Sequence, residues 1–335
     1  MIAIVAALGI ASAWLEYGFI PTGDVTFSKA GVTVSIWHLV GMGIWTGYTM
    51  ALVGQAAGIF ALPYSTSVLQ FSNPHVSSTM LVVTFLNPLG ALLGFRRSGQ
   101  WNLDFALAVC AGGALGALAG PFLRATVLAN AGTFRLALGI ALALFGAQLC
   151  WKALRDYTKF GRSVGSDFLT ADEGGSKRFT IKTLRNNWRS VTIQFGSHRR
   201  ELPHLQLFLI GAGVGVFSAA LGVGGGFLLV PIFAMSYRLP LYVMVAATIP
   251  YTIVLSLVGI LTFIFLLPVL GTPSIAPEWS WGFFTAAGGI LGSWCAAKTQ
   301  VYVPEHWLNW LLGGVTGVVG ALYILSFIVK LPFAL

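Results

Sequence analysis

The sequence predicts an all-α polytopic membrane protein of two homologous halves in inverted orientation, each with a broken or re-entrant Gly-rich helix pair. Three observations carry that prediction. Of the 335 residues 56% are hydrophobic and 9% charged, with a mean hydropathy of +0.83, against about 25% charged in a soluble domain. Apolar runs recur along most of the chain at the length of about 20 residues that a helix needs to cross a hydrocarbon core, which argues against a barrel of short alternating strands. The third observation is an internal repeat. "GQAAGIFALP" (54–63) aligns without gaps on "GVGGGFLLVP" (222–231), "GGALGALAG" from Gly112 lies over "GGILGSWCA" from Gly288, and "LGIALALFGA" from Leu138 lies over "LGGVTGVVGA" from Leu312.

Residues 1–35 read as an N-terminal span and an external segment. "MIAIVAALGIASAW" has no basic flank and no cleavage site leading into a polar domain, so it is expected to be retained rather than removed as a signal peptide. The first repeat, 36–151, holds apolar elements near 36–53, 58–71, 78–95, 103–123 and 134–151. A basic loop follows at 152–203; counted from Trp151, this segment carries 11 of the 19 Lys and Arg. The second repeat, 204–335, holds elements near 205–221, 227–237, 241–268, 281–297 and 308–329.

The first two elements of each half are short: two crossings, a re-entrant hairpin or one broken helix. The first two options give each half an odd number of crossings and opposite orientations. Lys and Arg beside spans are retained on the cytoplasmic side, which puts the basic loop inside. An odd count then leaves Arg96, Arg97, Arg238 and Lys298 inside and Lys29, Arg124, Arg135 and Lys330 outside, whereas an even count moves Arg238 out. Charge therefore favours the inverted repeat, whose site lies near the midplane where the halves meet. The loop also suits anionic lipid headgroups, and its mixed sign without regular aromatics argues against nucleic acid.

"LGVGGGFLLVPIF" (221–233) sets four glycines and a proline inside an apolar run. Each interior Gly costs about 1 kcal/mol against Ala and a Pro about 3 kcal/mol, so a break is expected at Gly222, Gly224, Gly225 and Gly226. Backbone leaves the helix at membrane depth only where protein or a cavity satisfies it. A helix restarting there presents unpaired N–H groups and the positive end of its dipole, a site for an anion. Pro231, and Pro63 in the first half, are expected to mark the restart, since a first turn does not need the missing N–H. The competing reading is close helix packing by small residues.

The first-half motif runs from Gly54 through Gln55, Ala56 and Ala57 to Gly58. The Gln55 amide offers two donors, either to a ligand or to a neighbouring carbonyl. Thr79 and Thr248 begin the third element of each half, as ligands or bonded to their own i−4 carbonyls. Asn87, before Pro88 in an apolar run, is expected to face the cavity, whereas Asn73 and His75 belong to a connector at the surface. Substrate-binding candidates are therefore Gly54, Gln55, Gly58, Thr79, Asn87, Gly222, Gly224, Gly225, Gly226 and Thr248.

No Asp or Glu falls at the centre of an expected span, so the carboxylate relay of coupled pumps has no candidate. A monovalent anion leaving a negative interior gains about 2.3 kcal/mol per 100 mV. "GVGGGF" lacks the Lys-Ser/Thr of a P-loop, and Cys110, Cys150 and Cys295 stand singly, as packing residues rather than a metal or redox set. The expectation is no catalysis, no metal and no cofactor.

"GVGGGFLLVPIF" with the downstream "AAT" and "GGILGSW" resembles the sulfite exporter TauE/SafE family. The resemblance covers roughly 36–150 and 204–330. It implies multi-pass transport of sulfite, organosulfonates or related sulfur oxyanions across a bacterial inner membrane. Two features depart from the family pattern, the long basic loop and the altered first-half motif. The alternative is a membrane sensor or assembly factor working through the basic loop. Direction, coupling ion and any homo-oligomer are left open.

Overall fold

The computed structural model describes residues 1–20, 22–53, 58–98, 102–158, 182–195, 198–237, 239, 241–299 and 305–329. It is mostly helical. The first half comprises α2 (Ile36–Val53), α3 (Gly58–Pro63) continued by a π-turn (Tyr64–Val68), α4 (His75–Ser98), α5 (Leu103–Ala125) and α6 (Ala131–Thr158). The second comprises α7 (His204–Leu221), α8 (Gly226–Tyr237), α9 (Leu241–Leu261) extended by a π-turn (Thr262–Leu266) and a last turn to Val269, α10 (Trp279–Thr299) and α11 (Glu305–Val329). Among the described residues five segments are long and apolar enough to cross a membrane: Leu103–Ala125, Ala131–Trp151, His204–Leu221, Ala247–Val269 and Trp310–Val329. The chain is an integral membrane protein.

Ahead of the first half lies α1 (Ile2–Tyr17), closed by Gly18 at φ 76°. Its 16 residues reach about 24 Å at 1.5 Å each, and it packs on α10 through Gly9 against Phe283 and Phe284.

The chain also contains strands that the all-helical expectation missed. β1 (Asp24–Phe27) and β2 (Val32–Ser35) form an antiparallel hairpin running directly into α2. The region expected as a loop contains β3 (Lys182–Asn186), β4 (Ser190–Phe195) and β5 (His198–Pro203), an antiparallel sheet whose last strand runs directly into α7. Alternation explains both. Val25 and Phe27 point inward while Asp24 and Thr26 face out; Val191, Ile193 and Leu202 are fully buried. Strands of four to six residues are too short to register as apolar runs, yet period-two burial in β1 and β4 anchors each sheet to the adjoining core.

Glycines determine the helix pairing. α2 lies parallel to α10, with Gly43 and Gly47 against Thr285 and Gly289, and Gly288 and Gly292 against Val40 and Ile44. α5 lies parallel to α7, with Gly112, Gly116 and Gly120 against Phe208, Ala212 and Val216. In each case a Cβ would collide with facing backbone, so only glycine permits the approach on which helix association in lipid depends. α6 and α11 run antiparallel, pairing Gly139 with Gly320 and Gly146 with Gly313 and Gly317. α4 and α9 are antiparallel too, with Leu81 against Gly259 and a Thr84–Ser256 hydroxyl bond of 2.9 Å. The first helix of each half thus packs on the fourth of the other, third on third and fifth on fifth.

Candidate functional site

The glycine stretch interrupts the helix. Gly222 ends α7 at φ 80°, its N–H donating to Ser218 O at 2.9 Å. Gly224 has φ 79°, a conformation that strains residues with a side chain. Helix resumes at Gly226, and the amides of Gly224, Gly225, Gly226 and Phe227 donate no hydrogen bond to described residues. These are the free donors of a helix start. Pro231 is the sixth residue of the resumed helix and Pro63 the last of α3, neither of them in a first turn. There they withhold a donor from the carbonyl four residues earlier, and Pro63 leads straight into the π-turn.

Packing constrains the same glycines. A Cβ on Gly222 would collide with the Ser77 backbone and one on Gly225 with the Tyr251 ring. A Cβ on Gly58, the first described residue of α3, would lie 2.6 Å from Val223 O and 2.9 Å from Thr84 Cγ2. α3 therefore touches the glycine break, Gly58 on Val223, beside the Thr84–Ser256 pair. Gly54 and Gln55 lie outside the described residues.

The remaining candidates separate into committed and uncommitted groups. Thr79 Oγ1 donates to His75 O at 2.7 Å and accepts from Glu278 N at 2.9 Å. Thr248 is buried, and its carbonyl accepts from Thr252 Oγ1 at 2.9 Å. Asn87 is 1% exposed with both amide atoms unpartnered, against Gly289 of α10. Thr285 Oγ1 and Ser218 Oγ are also buried without partners. A buried polar group left unpaired costs about 1–3 kcal/mol, so such groups in a membrane core call for a water or a ligand.

Asn73 and His75 are half-buried rather than at the surface. Asn73 Nδ2 donates to Lys29 O at 2.6 Å, and His75 Nδ1 lies 2.7 Å from Ala276 O. Two further residues escaped the sequence reading. Glu278, in the connector immediately ahead of α10, is fully buried, and its carboxylate accepts from Tyr17 Oη at 2.6 Å and from Lys29 N at 2.9 Å. Burial raises its carboxyl above the usual range, against the bonds from Tyr17 and Lys29 that favour the ionised form. The position immediately ahead of a helix was the signal available in the sequence.

Arg124, read as an external connector residue, is also fully buried, at the end of α5. Its Nε donates to Ser77 Oγ at 3.0 Å and its Nη1 to Leu128 O, and the guanidinium lies 4.0 Å from the Phe134 ring centroid. Nη2 has no partner. Among the described residues the one salt bridge joins Lys29 to Glu16 at 2.9 Å, so no described carboxylate neutralises Arg124. Burying a charge uncompensated costs several kcal/mol. Its signal was spacing: Gly112, Gly116, Gly120 and Arg124 recur every four residues on one helix face.

The family model described as sulfite exporter TauE/SafE matches residues 39–323. No curated protein and no solved structure matches the chain.

Proposed function

The chain belongs to the sulfite exporter TauE/SafE family, and from that premise we propose that it exports sulfite or a related sulfur oxyanion or organosulfonate across a bacterial inner membrane. The observation that carries the reading is the contact of α3 with the glycine break, Gly58 on Val223, with amides at the start of α8 that have no partner among the described residues. Those amides and the α8 dipole suit an anion, at about 0.3–2 kcal/mol from the dipole before individual N–H bonds are counted. Gly222, Gly224, Gly225 and Gly226 supply backbone. Asn87 supplies an uncommitted amide, and Gln55, the repeat counterpart of Val223, supplies the first half's donor.

The architecture in this reading is an inverted repeat. Reciprocal pairing of first with fourth helices, together with antiparallel contact between like helices, is the pattern of a pseudo-twofold axis lying in the membrane plane. The Thr84–Ser256 contact joins like helices beside the contact of Gly58 with the glycine break. With the basic segment on the cytoplasmic side, a monovalent anion leaves down the potential, gaining about 2.3 kcal/mol per 100 mV.

Proteoliposome flux tests the proposal, using sulfite, sulfate, thiosulfate and a sulfonate with and without an imposed potential. Sulfite or sulfonate efflux accelerated by an interior-negative potential is the expected result. No flux of any of these anions overturns it.

A further inference from the structure

We propose that Arg124 is the charge-selecting residue of the permeation path: its free guanidinium nitrogen binds the oxyanion between the glycine break and the α5–α6 connector. The inference rests on the oxyanion-transport reading and adds a residue to it.

Three observations converge on Arg124. It is fully buried, and among the described residues Nη2 has no partner while Nε and Nη1 are held by Ser77 and Leu128. Those two bonds and the Phe134 ring fix the guanidinium plane, so Nη2 is presented in one orientation rather than swept through many. The location is the third. Ser77, which binds Nε, is the residue whose backbone receives Gly222, so the cation and the glycine break share one neighbour. Neither structural bond demands a charge, since a neutral donor satisfies a hydroxyl or a carbonyl. A guanidinium placed there without a described carboxylate is what a site needs when its counter-charge arrives with the substrate. Its planar fork matches two oxygens of an oxyanion, and the low polarity of its surroundings makes the attraction stronger than in water.

The test uses the full-length protein in proteoliposomes, with KM and maximal rate measured separately for sulfite, sulfate and thiosulfate. Arg124→Gln keeps a donor for Ser77 and removes the charge; the expected result is at least a tenfold rise in sulfite KM in protein that still elutes as a folded species. Arg124→Lys keeps the charge and loses the fork, and is expected to raise KM several-fold and alter the preference between sulfite and sulfate. Should Arg124→Gln not fold, the lysine variant carries the test alone. A purely structural role lowers the amount of active protein and leaves KM and anion preference unchanged in both variants, which overturns the inference. Wild-type vesicles that move none of the anions overturn the transport reading itself, and the proposal for Arg124 with it.

Discussion

Gly225→Ala should be among the most damaging single-methyl additions in the protein. Its Cβ would overlap the Tyr251 ring, and that ring has no room to retreat. Gly113 abuts its other edge, and Tyr251 Oη donates to Gly211 O at 2.8 Å. Overpacking a rigid core costs about 1–3 kcal/mol, and displacing the ring forfeits a buried hydrogen bond of about 0.5–1.5 kcal/mol, so the total is about 1.5–4.5 kcal/mol. Denaturant titration of purified protein in detergent provides the measurement. Gly213→Ala is the control, because a Cβ there meets nothing within 4 Å and Ala is the better helix former by about 1 kcal/mol. Tyr251→Leu should destabilise the wild type but couple favourably to Gly225→Ala by about 1 kcal/mol or more, the signature of residues in direct contact. Equal stability of Gly225→Ala and Gly213→Ala would refute the reasoning, and so would additivity of the two changes.

Gln55→Ala is expected to raise sulfite KM severalfold while leaving the potential dependence of flux intact; an unchanged KM removes Gln55 from the site. Deleting residues 160–180 leaves β3 to β5 in place and should preserve anion flux in vesicles, whereas abolished flux would favour a protein that works through its basic segment. Glu278 gives a pH prediction. A carboxyl raised by burial binds its proton more tightly folded than unfolded, so its stabilisation is complete below the unfolded value and is lost as pH climbs through the raised folded value. Melting midpoints measured across that climb should fall more steeply for the wild type than for Glu278→Gln, and parallel curves would count against the burial argument.

Some of this was legible before any coordinates. The repeat offset read from Gly54 and Gly222 makes Ile36–Val53 the counterpart of His204–Leu221, and both form helices of 18 residues. The helix restart at Gly226 follows the glycine spacing. The hairpins were not legible, because a four-residue strand such as Val32–Ser35 contributes too few alternations to stand out beside long apolar runs. Arg124 was misjudged for a related reason. Counting Lys and Arg by connector treats each basic residue between spans as solvated, and this one enters the core at a helix end.

Composition alone determined the solvent, because each apolar side chain prefers lipid whatever its neighbours do. The glycine run at 222–226 determined where one helix stops and the next begins, since the backbone cost of those residues is local. Tertiary structure alone decided which glycines approach which helix, that the first helix of each half pairs with the fourth of the other, and that Arg124 is left without a described carboxylate partner. Those outcomes depend on residues far apart in the chain, such as Gly43 with Thr285 or Arg124 with Ser77. Their energies come from close backbone approach and from the withdrawal of water, and neither exists until the segments meet.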